Sequence, residues 1–99
     1  MLETVKTALN LTTDIFDYEI MNWIGAAVKD MGIAGVEGET VTVDTIDPII
    51  IAAICTYCGY RFELNHGSLE RMAAYKESYD EQKAQLSMAT GYTVFSTEG

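Results

Sequence analysis

DPIIIAAICTYCGYRF, residues 47–62, opens with an acidic residue and then continues through thirteen uncharged ones. Aspartate followed by proline is typical of a helix start, because the carboxylate caps free backbone N–H groups and proline fits the first turn. The stretch therefore predicts a helix that ends near Leu64 and is apolar nearly all round from Ile49 to Tyr60. Such a helix has to be covered by other elements or by a partner protein.

The same stretch carries a Cys-x-x-Cys pair, Cys55 and Cys58, inside the predicted helix. A thioredoxin-like pair lies at an exposed helix N-terminus, which lowers the thiol pKa, whereas these two cysteines follow two apolar turns. A closed zinc site needs four ligands, and His66 is the one further candidate. We interpret the cysteines as small apolar core residues and expect neither a metal nor a cofactor.

Three further helices are predicted around this one. The first runs from Leu2 to Leu9 and is ended by the turn formers of NLTTD, residues 10–14. The second begins after Thr13 or Asp14 and ends at Gly32, and its apolar stripe consists of Phe16, Ile20, Trp23, Ile24, Ala27, Val28 and Met31. Ser68 caps the fourth helix, which is amphipathic and continues until Gly91.

Two segments fall outside the helices. Residues 32–46 combine glycines and acidic residues around the β-branched run TVTV. Because a lone strand is unstable, this run needs a partner from elsewhere in the chain or from a neighbouring copy, and we predict that Val41, Thr42 and Val43 pair with a neighbouring copy. The alternating C-terminal stretch GYTVFSTEG predicts a strand that adds to another protein's sheet edge through Tyr92, Val94 and Phe95. The expected fold is all-α, a small four-helix bundle of residues 1–90 followed by an extended docking tail of residues 91–99. A glycine-rich acidic loop, which carries a short strand or hairpin, is expected between helices 2 and 3.

The charge excludes several classes of protein. Fifteen acidic residues against six basic ones give a net charge of -9, which opposes the binding of DNA phosphates or anionic membranes. MLETVKTALN, residues 1–10, has no apolar core typical of a secretory signal, and no uncharged run reaches the roughly 18 to 20 residues of a spanning helix. We expect a soluble product of the cytoplasm.

Catalytic patterns are missing from the sequence. It contains no glycine-rich phosphate loop and no Gly-x-Ser-x-Gly elbow, and its one histidine has no evident nucleophile beside it. Paired acids such as Asp80 and Glu81 match no calcium loop and are interpreted as solvated surface. We therefore expect no catalytic residues and no enzyme activity.

The helices carry more aromatic area than a small core readily holds, and aromatic residues are enriched in protein interfaces. These residues are Trp23, Tyr57, Tyr60, Phe62, Tyr75 and Tyr79. We predict that Tyr75 and Tyr79 lie at or near a contact between subunits; the alternative is that the bundle buries the aromatic side chains within one subunit.

The chain resembles the small head-tail connector proteins of tailed bacteriophages, also called adaptor or head-completion proteins. The resemblance covers nearly the whole chain and rests on LETVKTALNLTTDIFDYEIMNWIGAAVKDMGI, DPIIIAAICTYCGYRF and ERMAAYKESYDEQKAQLSMATGYT, in that order. It implies a homo-oligomeric ring, a dodecamer, located below the portal protein in the virion neck and assembled in the host cytoplasm. That ring extends the DNA channel without specific DNA binding, and binds a tail-side connector or stopper protein.

Two alternatives from other classes remain at this stage. A small helical DNA-binding regulator needs a basic recognition helix, and failure to bind duplex DNA would exclude it. A Cys-x-x-Cys thiol oxidoreductase needs a thiol that reacts with alkylating reagents in the native state.

Overall fold

The computed structural model describes residues 1–31 and 48–88, which form four helices. These are α1 (Leu2–Ala8), α2 (Asp17–Met31), α3 (Pro48–His66) and α4 (Leu69–Met88). No strand occurs within these two ranges, and the predicted all-α fold is confirmed. The helix stop at Gly32, the strand at residues 40–43, the Asp47 cap and the tail of residues 91–99 lie outside the described residues.

Helix α3 is the centre of the bundle, since each of the other three helices packs against it. Glu19 near the start of α2 reaches His66 at the end of α3, so these helices run in opposite directions. The α3 residues with the least exposure are Ile50, Ala53, Ile54, Cys58 and Gly59. The apolar character of this helix is therefore explained largely within one subunit, although Ile49 and Leu64 keep 36% and 41% of their surface exposed.

The predicted apolar stripe of α2 is confirmed. Six of its residues are buried, and Phe16 packs half-buried against the same core, with its ring 5.1 Å from that of Phe62. The predicted start of the helix needs a correction, because the backbone N–H of Ile20 donates to the carbonyl of Phe16 and the helix begins at Asp17.

The reason for the later start is a contact made by Lys6. Its ammonium lies 2.7 Å from Asp14 and 2.9 Å from Asp17, so these carboxylates hold α1 against the start of α2. Thr13 instead accepts a hydrogen bond from the Ile15 backbone, at 3.3 Å, within the connection. Neither Thr13 nor Asp14 is therefore the residue directly before the helix.

Helix α3 ends at His66, two residues later than predicted, and the turn to α4 is short. Gly67 N–H donates to the Glu63 carbonyl at 3.0 Å, and the Glu63 carboxylate accepts the Ser68 N–H at 2.9 Å. The Ser68 hydroxyl oxygen accepts the Arg71 N–H at 3.3 Å, so the predicted Ser68 cap is confirmed.

Candidate functional site

The two cysteines lie in the α3 core, where thiol chemistry is disfavoured. Cys58 has no exposed surface, and burial raises the pKa of its thiol; burial also raises the pKa of half-buried Cys55. Both thiols are free. Within residues 1–31 and 48–88, no group of three histidine, cysteine or acidic side chains is arranged to hold a metal. Cys55 and Cys58 therefore lie in the packed environment of a core helix.

Tyr79, predicted to lie at a subunit contact, is only 3% exposed in the subunit. Its hydroxyl donates to the Asp30 carboxylate at 2.8 Å, and Lys83 approaches the same carboxylate oxygen at 3.3 Å. Burial and the bond to Asp30 both raise the pKa of the Tyr79 phenol. Tyr79 therefore connects the end of α2 to α4. Little of its side chain is left to contact another subunit.

Tyr75 is half-buried and lies over a glycine of α3. A Cβ atom at position 59 would be 2.6 Å from Tyr75 Cε1, so only glycine leaves room for this ring. Tyr57 lies beside them, with its ring 5.2 Å from Tyr79 and 5.8 Å from Tyr60. Much of the aromatic surplus is thus packed between α3 and α4, with the partly exposed edges of Tyr57, Tyr60 and Tyr75 still available.

Three exposed apolar side chains lie close together in the sequence at the start of α2. Ile15, Tyr18 and Met21 are 76%, 78% and 54% exposed. Tyr18 and Met21 share one side of α2 with Asn22, Gly25 and Lys29, opposite the buried stripe. We call these five residues the α2 face. Sequence reasoning missed it, although large apolar residues on the polar side of an amphipathic helix are a signal for an interface.

The α2 face also contains a glycine for which the described residues show no packing reason. None of their atoms lies within 4 Å of the position that a Cβ atom of Gly25 would occupy, apart from Gly25's own chain neighbours and helix backbone. Glycine in a helix interior is less favourable than alanine by about 1 kcal/mol. Among the described residues, no contact compensates for this cost at Gly25, whereas Gly59 leaves room for the Tyr75 ring.

The basic residues are mostly engaged by the protein's own side chains. Lys6 pairs with Asp14 and Asp17, and Lys83 with Asp30. Lys76 pairs with Asp80, one helical turn away, at 2.8 Å. Arg61 lies on Tyr57, donating to its hydroxyl at 3.1 Å. Lys29 and Arg71 are the exposed cations for which the described part of the chain shows no ion pair. Among the four helices that the structure describes, none presents the basic surface that DNA recognition requires.

A shallow depression of about 560 Å³ follows the side of α4. Its described lining is Met72, Ala73, Lys76, Glu77, Asp80, Glu81 and Ala84. Its charged residues, Lys76, Glu77, Asp80 and Glu81, are exposed to solvent. The depression is therefore a surface feature and not an enclosed site.

Some predicted contact residues are not located by the structure. Val41, Thr42, Val43, Tyr92, Val94 and Phe95 lie outside the described residues. Of the predicted interface set, Tyr75 and Tyr79 are brought together on one side of α4. Among the described helices, none combines the length and apolar character needed to cross a membrane.

Comparison with known proteins identifies the family of the chain. No curated protein and no solved structure matches the chain. Residues 1–93 match the model of a family described as "Phage connector protein", which covers all four helices. The chain belongs to this phage connector protein family.

Proposed function

We propose that the protein is the head-tail adaptor of a tailed phage: a homo-oligomeric ring below the portal that extends the DNA channel and provides the docking surface for the tail. The match of residues 1–93 to the phage connector family carries the proposal. A connector is a virion component that assembles with portal and tail components. Because the family is structural, the match is consistent with the expectation that the protein is not an enzyme.

The charge distribution supports a role as a channel wall. The net charge is -9, and Lys6, Lys76 and Lys83 are neutralised by carboxylates of the same subunit. A ring of such subunits repels phosphates, so DNA passes without specific binding. A helical DNA-binding regulator, by contrast, needs free cations on one helix face.

Contacts between copies are proposed at the α3–α4 aromatic cluster. Tyr75 keeps part of its ring accessible there, whereas Tyr79 is buried and acts by holding α4 in place. Replacing Tyr75 with Ser is therefore the cleaner change, because the same change at Tyr79 also removes a core contact. Weakened ring assembly with retained helical content is expected for Tyr75→Ser.

The loop and the tail are proposed to complete the assembly. Val41, Thr42 and Val43 would pair with a neighbouring copy, so their amide exchange should slow when the ring forms. The tail would dock on the portal through Tyr92, Val94 and Phe95, by strand addition. Deleting residues 91–99 should leave a folded helical domain that no longer docks stably.

Electron microscopy of the purified protein, alone and mixed with the portal protein of the same phage, tests the proposal. The expected result is a closed ring seated on the portal in the mixture, at the position of the virion neck. A full-length protein that never associates with the portal, or that binds duplex DNA in a salt-sensitive manner, would contradict the adaptor role.

A further inference from the structure

The end of the bundle where α3 turns into α4 carries two exposed leucines. Leu64 lies in the last turn of α3 and Leu69 is the first residue of α4, and they are 41% and 69% exposed. Because only Gly67 and Ser68 separate the two helices, both leucines lie at the same end of the α3–α4 pair. We call residues 64–71 the hairpin tip. Exposed apolar side chains that lie together favour a protein contact, whereas single ones are ordinary.

The depression along α4 is a concave surface that suits such side chains. It has a volume of about 560 Å³, and its wall is mostly carbon, because the stems of longer charged side chains surround two alanines. Helix residues at positions i, i+3, i+4 and i+7 surround one hole, into which a side chain of a partner helix packs. The lining provides two such holes, which are surrounded by Ala73, Lys76, Glu77 and Asp80 and by Glu77, Asp80, Glu81 and Ala84.

The charges of the two surfaces are complementary. The hairpin tip contains one acid and one base, Glu70 and Arg71, so its formal charge is zero in a chain of net charge -9. Within the described helices, neither the Arg71 guanidinium nor the carboxylates of Glu77 and Glu81 form an ion pair. The tip of a second copy therefore approaches the α4 depression without repulsion and places a cation near carboxylates. Since exposed ion pairs contribute little, the leucines supply the affinity, and the net charge of the copies still governs the salt dependence.

We propose that the hairpin tip of one copy packs into the α4 depression of the next copy, with Leu64 and Leu69 filling the depression and Arg71 at its rim. The two surfaces are different parts of the chain, so the contact is head-to-tail, and its repetition generates a ring when the rotation closes. The inference rests on the proposed adaptor ring and names the contact that builds it. The depression includes Lys76, which follows Tyr75 in α4, so this contact is continuous with the one proposed at Tyr75.

Sedimentation of the full-length protein over a range of concentrations tests the contact from both sides. The tip variant, Leu64→Ser with Leu69→Ser, removes the side chains that enter the depression. The depression variant, Ala73→Gln with Ala84→Gln, fills it with side chains that favour a helix, at positions that are exposed in the subunit. Each variant should require at least about tenfold more protein for half-assembly, because apolar burial is lost.

Ile49→Ser is the matched control for Leu64→Ser. Ile49 is 36% exposed and lies at the opposite end of the same helix. Its replacement should leave assembly close to wild type, and circular dichroism should show that all variants keep their helical content. An equal loss of assembly in this control would mean that assembly responds to any apolar loss on α3, and would contradict the assignment to the tip.

Mixing the two variants tests whether the tip and the depression contact each other. The tip variant retains an intact depression, and the depression variant retains an intact tip. An equimolar mixture should therefore form complexes of one chain of each kind, whereas each variant alone stays monomeric at the same concentration. A mixture that stays monomeric would contradict the pairing of these two surfaces.

The remaining outcomes separate this inference from the adaptor role. Wild-type protein that forms no ring, alone or on the portal, contradicts the proposed function and the contact together. Wild-type rings whose tip and depression variants assemble equally well contradict the contact alone. A wild-type assembly that stops at two copies would mean that the copies exchange tips symmetrically, and would overturn the head-to-tail arrangement.

Discussion

Two glycines inside helices have opposite surroundings, and the same substitution should therefore affect them in opposite directions. Gly59 is covered by the Tyr75 ring, whereas the space over Gly25 is open. The helical pattern around each residue is similar in the sequence, so nothing local distinguishes them. The difference is created by α4, which packs on α3 but leaves the α2 face uncovered.

Alanine at position 25 should stabilise the subunit by about 0.5 to 1 kcal/mol, because it removes the entropy cost of glycine and meets no neighbour. Alanine at position 59 should destabilise it by about 1 kcal/mol, because the displaced Tyr75 ring costs more than the gain in helix propensity. Denaturant unfolding of the two variants measures both signs. Destabilisation of equal size at the two positions would contradict the packing described for them.

At the scale of elements, each helix is fixed to the bundle by a specific polar contact in addition to the apolar core. Lys6 joins α1 to the start of α2, and Asp30 joins the end of α2 to α4 through Tyr79. The periodicity of α2 predicted its buried stripe correctly, because that signal lies within one helix. The start of α2 was predicted two or three residues too early, because the preference of Asp14 for capping was overridden by Lys6, eight positions away.

The Tyr79–Asp30 bond should stabilise the packing of α2 against α4. Tyr79→Phe keeps the buried ring and removes only the hydroxyl, so a loss of about 1 kcal/mol is expected from the missing hydrogen bond to a carboxylate. Asp30→Asn alone should cost a similar amount, and the double variant less than the sum of both. Additive losses in the unfolding free energy would show that the two side chains do not interact.

The attachment of α1 should depend on pH. Lys6 holds the pKa of Asp14 below its ordinary value of 3.8, through their hydrogen bond first and their charge attraction second. When folding lowers the pKa of a carboxyl group, the group stabilises the fold at every pH above its pKa in the unfolded state. This contribution is lost as the pH falls through its pKa in the folded state. Stability measured by denaturant unfolding should therefore fall below about pH 4. The stability of the Asp14→Asn variant should fall less steeply with pH in that range. An unchanged slope would contradict the role given to the Lys6–Asp14 ion pair.

At the scale of the whole molecule, the apolar side chains left exposed are spread over several helices. The sequence predicted a four-helix chain whose third helix needs cover, and the structure supplies most of that cover within one subunit. Besides Ile49 and Leu64 of α3 and Leu69 of α4, the exposed apolar side chains include Tyr18 and Met21 of α2, a helix that periodicity had described only by its buried side. A hydrophobic stripe identifies the core of a helix, but whether apolar residues on the opposite side are covered depends on the arrangement of the other helices.

Salt should strengthen the association between copies. That association brings together subunits of net charge -9, and their repulsion is weakened as salt reduces the screening length from about 10 Å at 0.1 M toward about 3 Å at 1 M. Ring formation can be followed by sedimentation at a series of salt concentrations.

A variant with Glu77→Gln and Glu81→Gln provides the matched control for this last prediction. Both carboxylates are exposed on α4, away from the α2 face, and lie at the unfavourable like-charge spacing of one helical turn. Removing them should reduce the salt dependence of ring formation. A ring that weakens as salt is added would mean that copies associate through complementary charges, and would contradict the repulsion expected from the net charge.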